Sequence, residues 1–142
     1  MVKFFKGQED KEITEAIRRA EKETTGQIRV HLRKKCKKDV LAQAHQVFRK
    51  LGMHRVKEKN AVLIFVAPES RQLAIVGDSG IHEKVKDEFW HSIRDLMAGY
   101  FKQDKIKEGI LAGIHSAGEK LKHHFPVSAK NFNPLPDIVT ED

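Results

Sequence analysis

Seven consecutive apolar residues, Ala61–Ala67 (AVLIFVA), constrain the fold of this 142-residue chain more than any other stretch. A strand without polar alternation has both faces covered, so we expect it in the middle of a sheet with helices on each side. The turn-forming residues 68–71 and a second apolar run, residues 73–76, follow it and predict a β-hairpin. The chain is therefore expected to enclose a pair of strands between helices.

The segments around this hairpin predict an α/β fold. Residues 27–33 alternate between apolar side chains and Arg29, His31 and Arg33, which predicts a strand with one solvated face near a sheet edge. A helix connects this strand to the buried one, and such a βαβ unit is parallel, whereas the hairpin adds an antiparallel strand. The prediction is a single-domain, three-layer α/β sandwich, with a central mixed β-sheet of three to four strands flanked by helices on both faces.

Apolar stripes and capping residues predict four helices. Their N-caps are expected at Asp10, at Asp39, at Asp78 or Ser79, and at Asp104. Within the fourth helix, Gly109 and Gly113 lie on one face. Because glycine lowers helix stability, we expect close packing to be the reason for both.

Length and composition limit the class of protein. One domain is expected over residues 1–125, followed by a proline-containing tail over residues 126–142 that has room for a short extra strand. The single cysteine, Cys36, excludes an internal disulfide. Without a signal-like or membrane-spanning apolar run, the expected location is cytoplasmic. The net charge of +7 favours anionic partners such as nucleic acid or a lipid surface, although it also serves solubility.

The loop of residues 77–80 (GDSG) is the best candidate site in the sequence. It follows a strand and precedes a helix N-terminus, and its two glycines permit positive φ angles. Asp78 and Ser79 offer oxygen ligands for a divalent cation such as Ca²⁺. The carboxylates nearest in sequence are those of Glu69, Glu83 and Asp87. The alternative is that the loop only caps the following helix, which is the commoner use of such residues.

No catalytic motif accompanies this loop. The sequence has no nucleophile elbow, P-loop or aspartate-phosphatase signature, and no histidine pair has the HExxH spacing. The most basic run, residues 33–38 (RKKCKK), could hold phosphates electrostatically, but it lacks the interleaved aromatic residues that stack on bases. A solvated loop is the simpler interpretation of that run.

The chain resembles the TPM domain family along nearly its whole length. The resemblance is carried by AEKETTGQIRVHL at the end of the first helix, by FRKLGMHRVKEKNAVLIFVAPESRQLAIVGDSGI, by the pair Phe89-Trp90, and by EGILAGIHSAGEKL. Within these blocks, Asn60 and Arg71 look like family positions that fix turn and loop hydrogen bonds. The chain looks like a short, free-standing bacterial version of the domain.

This resemblance implies an α/β domain that binds Ca²⁺, or a similar cation such as Mg²⁺, in loops at strand ends. It also implies a phosphatase activity, which here would be weak and metal-assisted. Many secreted members have a shorter glycine loop followed by a glutamate, whereas here the loop is one residue longer and His82 takes that position, with Glu83 next.

The functional prediction is an accessory or interaction module that binds a divalent cation at the loop after the hairpin. The alternatives are a weak phosphatase and a protein that binds an anionic partner through its basic face. The sequence carries no signal for an oligomeric state.

Overall fold

The fold is a four-stranded mixed sheet with helices on both faces, seen in a computed structural model that describes residues 5, 7–36, 38–127 and 139–142. The strands are β1 (Gln27–Leu32), β2 (Ala61–Ala67), β3 (Gln72–Gly77) and β4 (Val139–Glu141). The helices are α1 (Gln8–Glu21), α2 (Val40–Lys50), α3 (Ser79–Phe101) and α4 (Ile106–His124). Short 3-10 turns lie at Met53–Arg55 and Pro68–Ser70.

The strand order is β3-β2-β1-β4. Strand β1 is parallel to β2 and to β4, while β2 and β3 form the antiparallel hairpin. The mixed sheet, the parallel βαβ unit and the hairpin are therefore confirmed. The predicted extra strand within residues 126–142 is also confirmed, as β4, while residues 128–138 of that predicted tail lie outside the described residues.

Two apolar clusters, one on each face of the sheet, make the three layers. On one face, Val62, Ile64 and Val66 of β2 pack with buried residues of α1, α3 and α4. On the other face, Leu63 and Phe65 pack with α2 and the turn that follows it. Strand β2 is fully buried on both faces, as its unbroken apolar run predicts.

The prediction of a solvated face on β1 is wrong. All six residues of β1 are buried, and Arg29 and His31 are only 2% and 4% exposed. One reason is that β4, from the far end of the chain, pairs with residues 30–32 of β1 and makes β1 an inner strand, and Asp142 at its end contacts His31. On the second face the His31 ring stacks on Phe65, with 5.8 Å between ring centroids.

The predicted N-caps of α2 and α3 are confirmed. The Asp39 carboxylate accepts hydrogen bonds from the backbone N–H groups of Leu41 and Ala42, at 3.0 and 3.3 Å. The Asp78 carboxylate accepts one from the N–H of Ser79 at 2.7 Å. These side chains satisfy donors that the first helical turn leaves unpaired.

The predicted starts of α1 and α4 are wrong. Helix α1 begins at Gln8, so Asp10 lies inside its first turn. Helix α4 begins after Lys105, and Asp104 lies in the preceding loop with a φ of 59°. The carboxylate of Asp104 instead accepts a hydrogen bond from the Arg71 guanidinium, at 2.9 Å, which ties this loop to the hairpin turn.

The two glycines of α4 allow α3 to pack closely, as expected. A Cβ at Gly109 would lie 2.6 Å from Phe101 Cε1, and one at Gly113 would lie 2.5 Å from Met97 Sδ. These distances are well inside van der Waals contact, so larger residues would push the two helices apart. Among the described residues, no helix is long and apolar enough to cross a bilayer.

Candidate functional site

The candidate site is the junction between β3 and α3, where the chain leaves the sheet at Asp78. The backbone N–H of Asp78 donates to the carbonyl oxygen of Ala61 at 3.0 Å, which fixes the loop to the start of β2. One carboxylate oxygen, Oδ1, accepts the N–H of Ser79. The other, Oδ2, is buried and has no hydrogen-bond partner among the described residues. The loop therefore holds one buried carboxylate oxygen that the protein itself leaves unsatisfied.

The glycines of this loop serve close approach rather than positive φ angles. Among the described glycines only Gly7 and Gly52 have positive φ. The expectation that Gly77 and Gly80 are present because they adopt positive φ angles is therefore wrong. A Cβ at Gly77 would overlap the Trp90 ring. A Cβ at Gly80 would overlap the carbonyl oxygen of Glu58 and lie 2.6 Å from that of Lys59.

The turn before β2 covers one side of the loop. The Lys59 carbonyl accepts the N–H of Ile81 at 3.2 Å. The next residue, Asn60, is fully buried, and its Nδ2 lies 3.2 Å from the Thr25 hydroxyl, to which it donates. Its Oδ1, like the Asp78 Oδ2, is buried without a partner among the described residues. Asn60 thus links two loops, as expected of its position, and adds a second unsatisfied oxygen at this end of β2.

The predicted ligands on α3 are less enclosed. Ser79 and Glu83 are exposed, and the N–H of Ser79 is already bonded to Asp78. The Asp87 side chain is 85% exposed and its Oδ1 lies 3.6 Å from the Nε2 of His82. It follows a break in the helix at Lys86, whose φ is 63° and ψ is 178°.

Glu69 does not share a site with Asp78. It lies in the turn between β2 and β3, whereas Asp78 follows the opposite end of β3. The six residues of β3 separate them by roughly 20 Å, at about 3.3 Å per residue. The Glu69 carboxylate faces Lys34, with 3.7 Å between Oε2 and Nζ.

The loop also lies at the end of the sheet opposite to the one where a ligand site is expected. In α/β sheets ligands commonly bind beyond the carboxyl ends of parallel strands. Because β3 is antiparallel, its carboxyl end lies beside the amino ends of β1 and β2. No group of three or more His, Cys, Asp or Glu side chains in the described part of the chain is arranged to hold a metal ion.

A histidine and a tryptophan form the wall of α3 next to the loop. The Nε1–H of Trp90 donates to the Nδ1 of His82 at 2.9 Å. That nitrogen must therefore be unprotonated, which places the proton of a neutral His82 ring on Nε2, toward Asp87. The packing of Trp90 on Gly77 and this hydrogen bond hold both rings against the end of β3.

A second charged cluster, at the carboxyl end of β1, was not predicted. The Arg33 guanidinium forms a two-point contact with the Asp142 carboxylate, at 3.0 and 2.8 Å. The His31 Nε2 lies 2.9 Å from Asp142 Oδ1, and its Nδ1 lies 2.7 Å from the Thr140 hydroxyl. The hydrogen bond from Arg33 lowers the pKa of Asp142 to about 2, while burial lowers the pKa of His31. These contacts hold β4 against the sheet.

The basic run at residues 33–38 folds against the hairpin turn. Cys36 is buried, and its N–H donates to the Ser70 hydroxyl at 3.0 Å. The Glu69 N–H donates to the Lys34 carbonyl at 3.1 Å. Lys37 lies outside the described residues.

Comparisons with known proteins agree with this fold. The TPM domain family matches residues 1–120 of the chain. The NMR structure of the BA42 protein from the psychrophilic bacterium Bizionia argentinensis is similar over 100% of this chain and 98% of that one, with 40% identity and a TM-score of 0.91.

Two more distant NMR structures show the same fold. The match to an N-terminal domain from Corynebacterium glutamicum covers 94% of this chain and 82% of that domain, at 18% identity and a TM-score of 0.66. The match to an N-terminal domain from P. gingivalis covers 87% of this chain and 83% of that domain, at 17% identity and a TM-score of 0.69. No curated protein matches the chain.

Proposed function

The chain belongs to the TPM domain family, and we propose that it is an accessory or interaction module that binds a divalent cation at the Asp78 loop. The observation that carries the proposal is the buried Oδ2 of Asp78, which has no partner among the described residues. Burying a carboxylate oxygen without a hydrogen bond or a counter-charge is costly. A bound cation would remove that cost.

The donor set favours Ca²⁺ over Mg²⁺. Calcium accepts six to eight oxygens in flexible geometry, including backbone carbonyls and water, whereas magnesium demands a near-ideal octahedron. The Asp78 carboxylate would be the charged ligand, and the Asn60 Oδ1 and the carbonyls of Glu58 and Lys59 are further oxygens at this end of β2. Ser79, Glu83 and Asp87 stay predictions as further ligands.

The affinity is expected to be modest for two physical reasons. A site with a single buried carboxylate neutralises only part of the charge of a divalent ion. The N-terminus of α3 carries the positive end of the helix dipole, which opposes a cation there.

The test is an NMR titration of the chain with Ca²⁺, repeated with Mg²⁺. We expect the amide resonances of residues 78–83 to shift saturably in the wild-type protein and to stay in place in Asp78→Asn. The matched control is Asp95→Asn, which makes the same charge change at an exposed position of α3 and should titrate like the wild type. Unmoved amides in the wild-type protein would refute the proposal.

Phosphatase activity, an anionic partner and a cytoplasmic location stay predictions. Among the described residues no contact favours a phosphatase over simple cation binding, because the loop supplies one enclosed carboxylate and no cluster of metal-binding side chains accompanies it.

A further inference from the structure

The free edge of β3 lies at the bottom of a groove. Among the described residues β3 pairs with β2 alone, so its other side has no neighbouring strand. A groove of about 340 Å³ runs along this side, between α2 and α3. That volume lies at the low end of the range of sites that bind small ligands.

The backbone of β3 presents unpaired hydrogen-bonding groups to this groove. In an antiparallel pair, residues alternate between facing the partner strand and facing away. The N–H of Asp78 donates to the carbonyl of Ala61, so the backbone groups of Asp78 point toward β2. Counting back in steps of two, the backbone groups of Val76 and Ala74 also point toward β2. The N–H and C=O groups of residues 73, 75 and 77 therefore point into the groove.

The sequence of β3 does nothing to prevent another strand from pairing there. Natural edge strands are usually protected by charged residues, proline, bulges, shortness or a covering helix or loop. Strand β3 (QLAIVG) is six residues long, contains no charge and no proline, and pairs with β2 in unbroken register. Helices α2 and α3 flank this edge and leave residues 73–76 only 3–8% exposed, so another strand would have to reach it through the groove between them.

The two walls of the groove differ in chemistry. The α2 wall presents Val40 and Leu41, of which Leu41 is 48% exposed. The α3 wall presents Arg94 and His91, both exposed. Arg94 has no ion-pair partner among the described residues, and Asp87 is the single carboxylate along the groove.

We propose that the edge of β3 binds an extended acidic segment of a partner protein, which adds to the sheet as a fifth strand. The side chains of an added strand point alternately to the two faces of the sheet. Aliphatic residues would contact Val40 and Leu41, and acidic residues would face Arg94 and His91. A second copy of this chain fits less well, because pairing two β3 edges would bring two Arg94 side chains and two chains of charge +7 together.

A peptide of alternating valine and glutamate, about seven residues long and blocked at both ends, is a suitable probe. We expect it to protect the amide hydrogens of Leu73, Ile75 and Gly77 from exchange. The amides of Ala74 and Val76, already bonded to β2, should be protected with or without the peptide. This alternation distinguishes strand addition from binding elsewhere on the surface.

Two variants test the walls while leaving the buried core in place. Arg94→Glu should weaken peptide binding about tenfold, since an attraction becomes a repulsion. Its control is Arg18→Glu, the same charge reversal at an exposed position on α1, which should bind as the wild type does. Leu41→Gln, on the opposite wall, should weaken binding through lost apolar contact without changing any charge.

Three outcomes would overturn the proposal. The first is no change in amide exchange along β3 at about 1 mM peptide. The second is equal binding of a valine–lysine peptide of the same length, which would remove the acidic preference. The third is concentration-dependent self-association, by analytical ultracentrifugation, with the same alternating protection in the absence of peptide, since it would make a second copy the occupant.

Discussion

Replacing Glu21 with glutamine should raise the stability of the protein at pH 8 and remove a pH-dependent loss of stability. Glu21 is the last residue of α1, and its Oε2 accepts the N–H of Ile28 at 2.7 Å, at the start of β1. Burial raises the pKa of this carboxyl from 4.5 to about 7, against the opposing effects of that hydrogen bond and of Arg29. Ionising Glu21 therefore costs free energy in the folded protein, whereas in the unfolded chain it carries no such cost.

The direction and size of the effect follow from the two pKa values. Below pH 4.5 the carboxyl is protonated in both states, and its contribution to stability is fully present. Between pH 4.5 and 7 the unfolded chain loses the proton first, so stability falls as the pH rises. One pKa unit corresponds to about 1.4 kcal/mol, so the total loss is about 3 kcal/mol and is complete above pH 7.

The assay is urea denaturation, followed by circular dichroism, between pH 4 and 8. In Glu21→Gln the amide oxygen can still accept the Ile28 N–H, so the variant should match the wild type near pH 4 and exceed it by up to about 3 kcal/mol at pH 8. The control is Glu15→Gln, at an exposed position of α1. The lowered pKa of His31 is common to all three proteins, so its effect cancels in the difference. Parallel stability curves for wild type and Glu21→Gln would refute this account of Glu21.

Three further results are expected. Gly80→Ala should destabilise the protein by about 2–3 kcal/mol in urea denaturation, because the new Cβ would overlap the backbone carbonyl of Glu58; unchanged stability would contradict that contact. Asp142→Asn should lower the free energy of unfolding by roughly 1 kcal/mol, since this partly exposed carboxylate pairs with Arg33 and its pKa is about 2. In the wild type this stabilisation is present above pH 4 and is lost as the pH falls toward 2. A variant whose stability depends on acid pH as that of the wild type does would count against the pairing. If the chain hydrolyses an aryl phosphate, Asp78→Asn should abolish turnover, and activity that survives the substitution would place the chemistry elsewhere.

The sequence predicted the layers of the fold because burial leaves a strong periodic signal. The unbroken apolar run of β2 required cover on both faces, and α2 and the other helices provide it. Local capping chemistry was equally readable at Asp39 and Asp78, where the side chain bonds to a residue one to three positions away. Both signals depend on neighbours in sequence.

What the sequence could not predict depends on contacts between distant residues. His31 and Arg33 looked solvated because their partner, Asp142, lies more than a hundred residues away, at the end of β4. The candidate site shows the same limit. Glu69 is near Asp78 in sequence but at the opposite end of the hairpin, and the role of Gly80 depends on a turn that ends about twenty residues earlier.

The most direct test of cation binding at Asp78 is a crystal structure of the protein grown with Ca²⁺ and, in parallel, with Mn²⁺ as an anomalous scatterer. We expect density for an ion about 2.4 Å from the Asp78 Oδ2, with the remaining ligands drawn from backbone carbonyls, Asn60 and water. If Oδ2 is instead found bonded to a protein group or to water, with no ion near it at millimolar Ca²⁺, the loop is a helix cap and the proposed function is wrong.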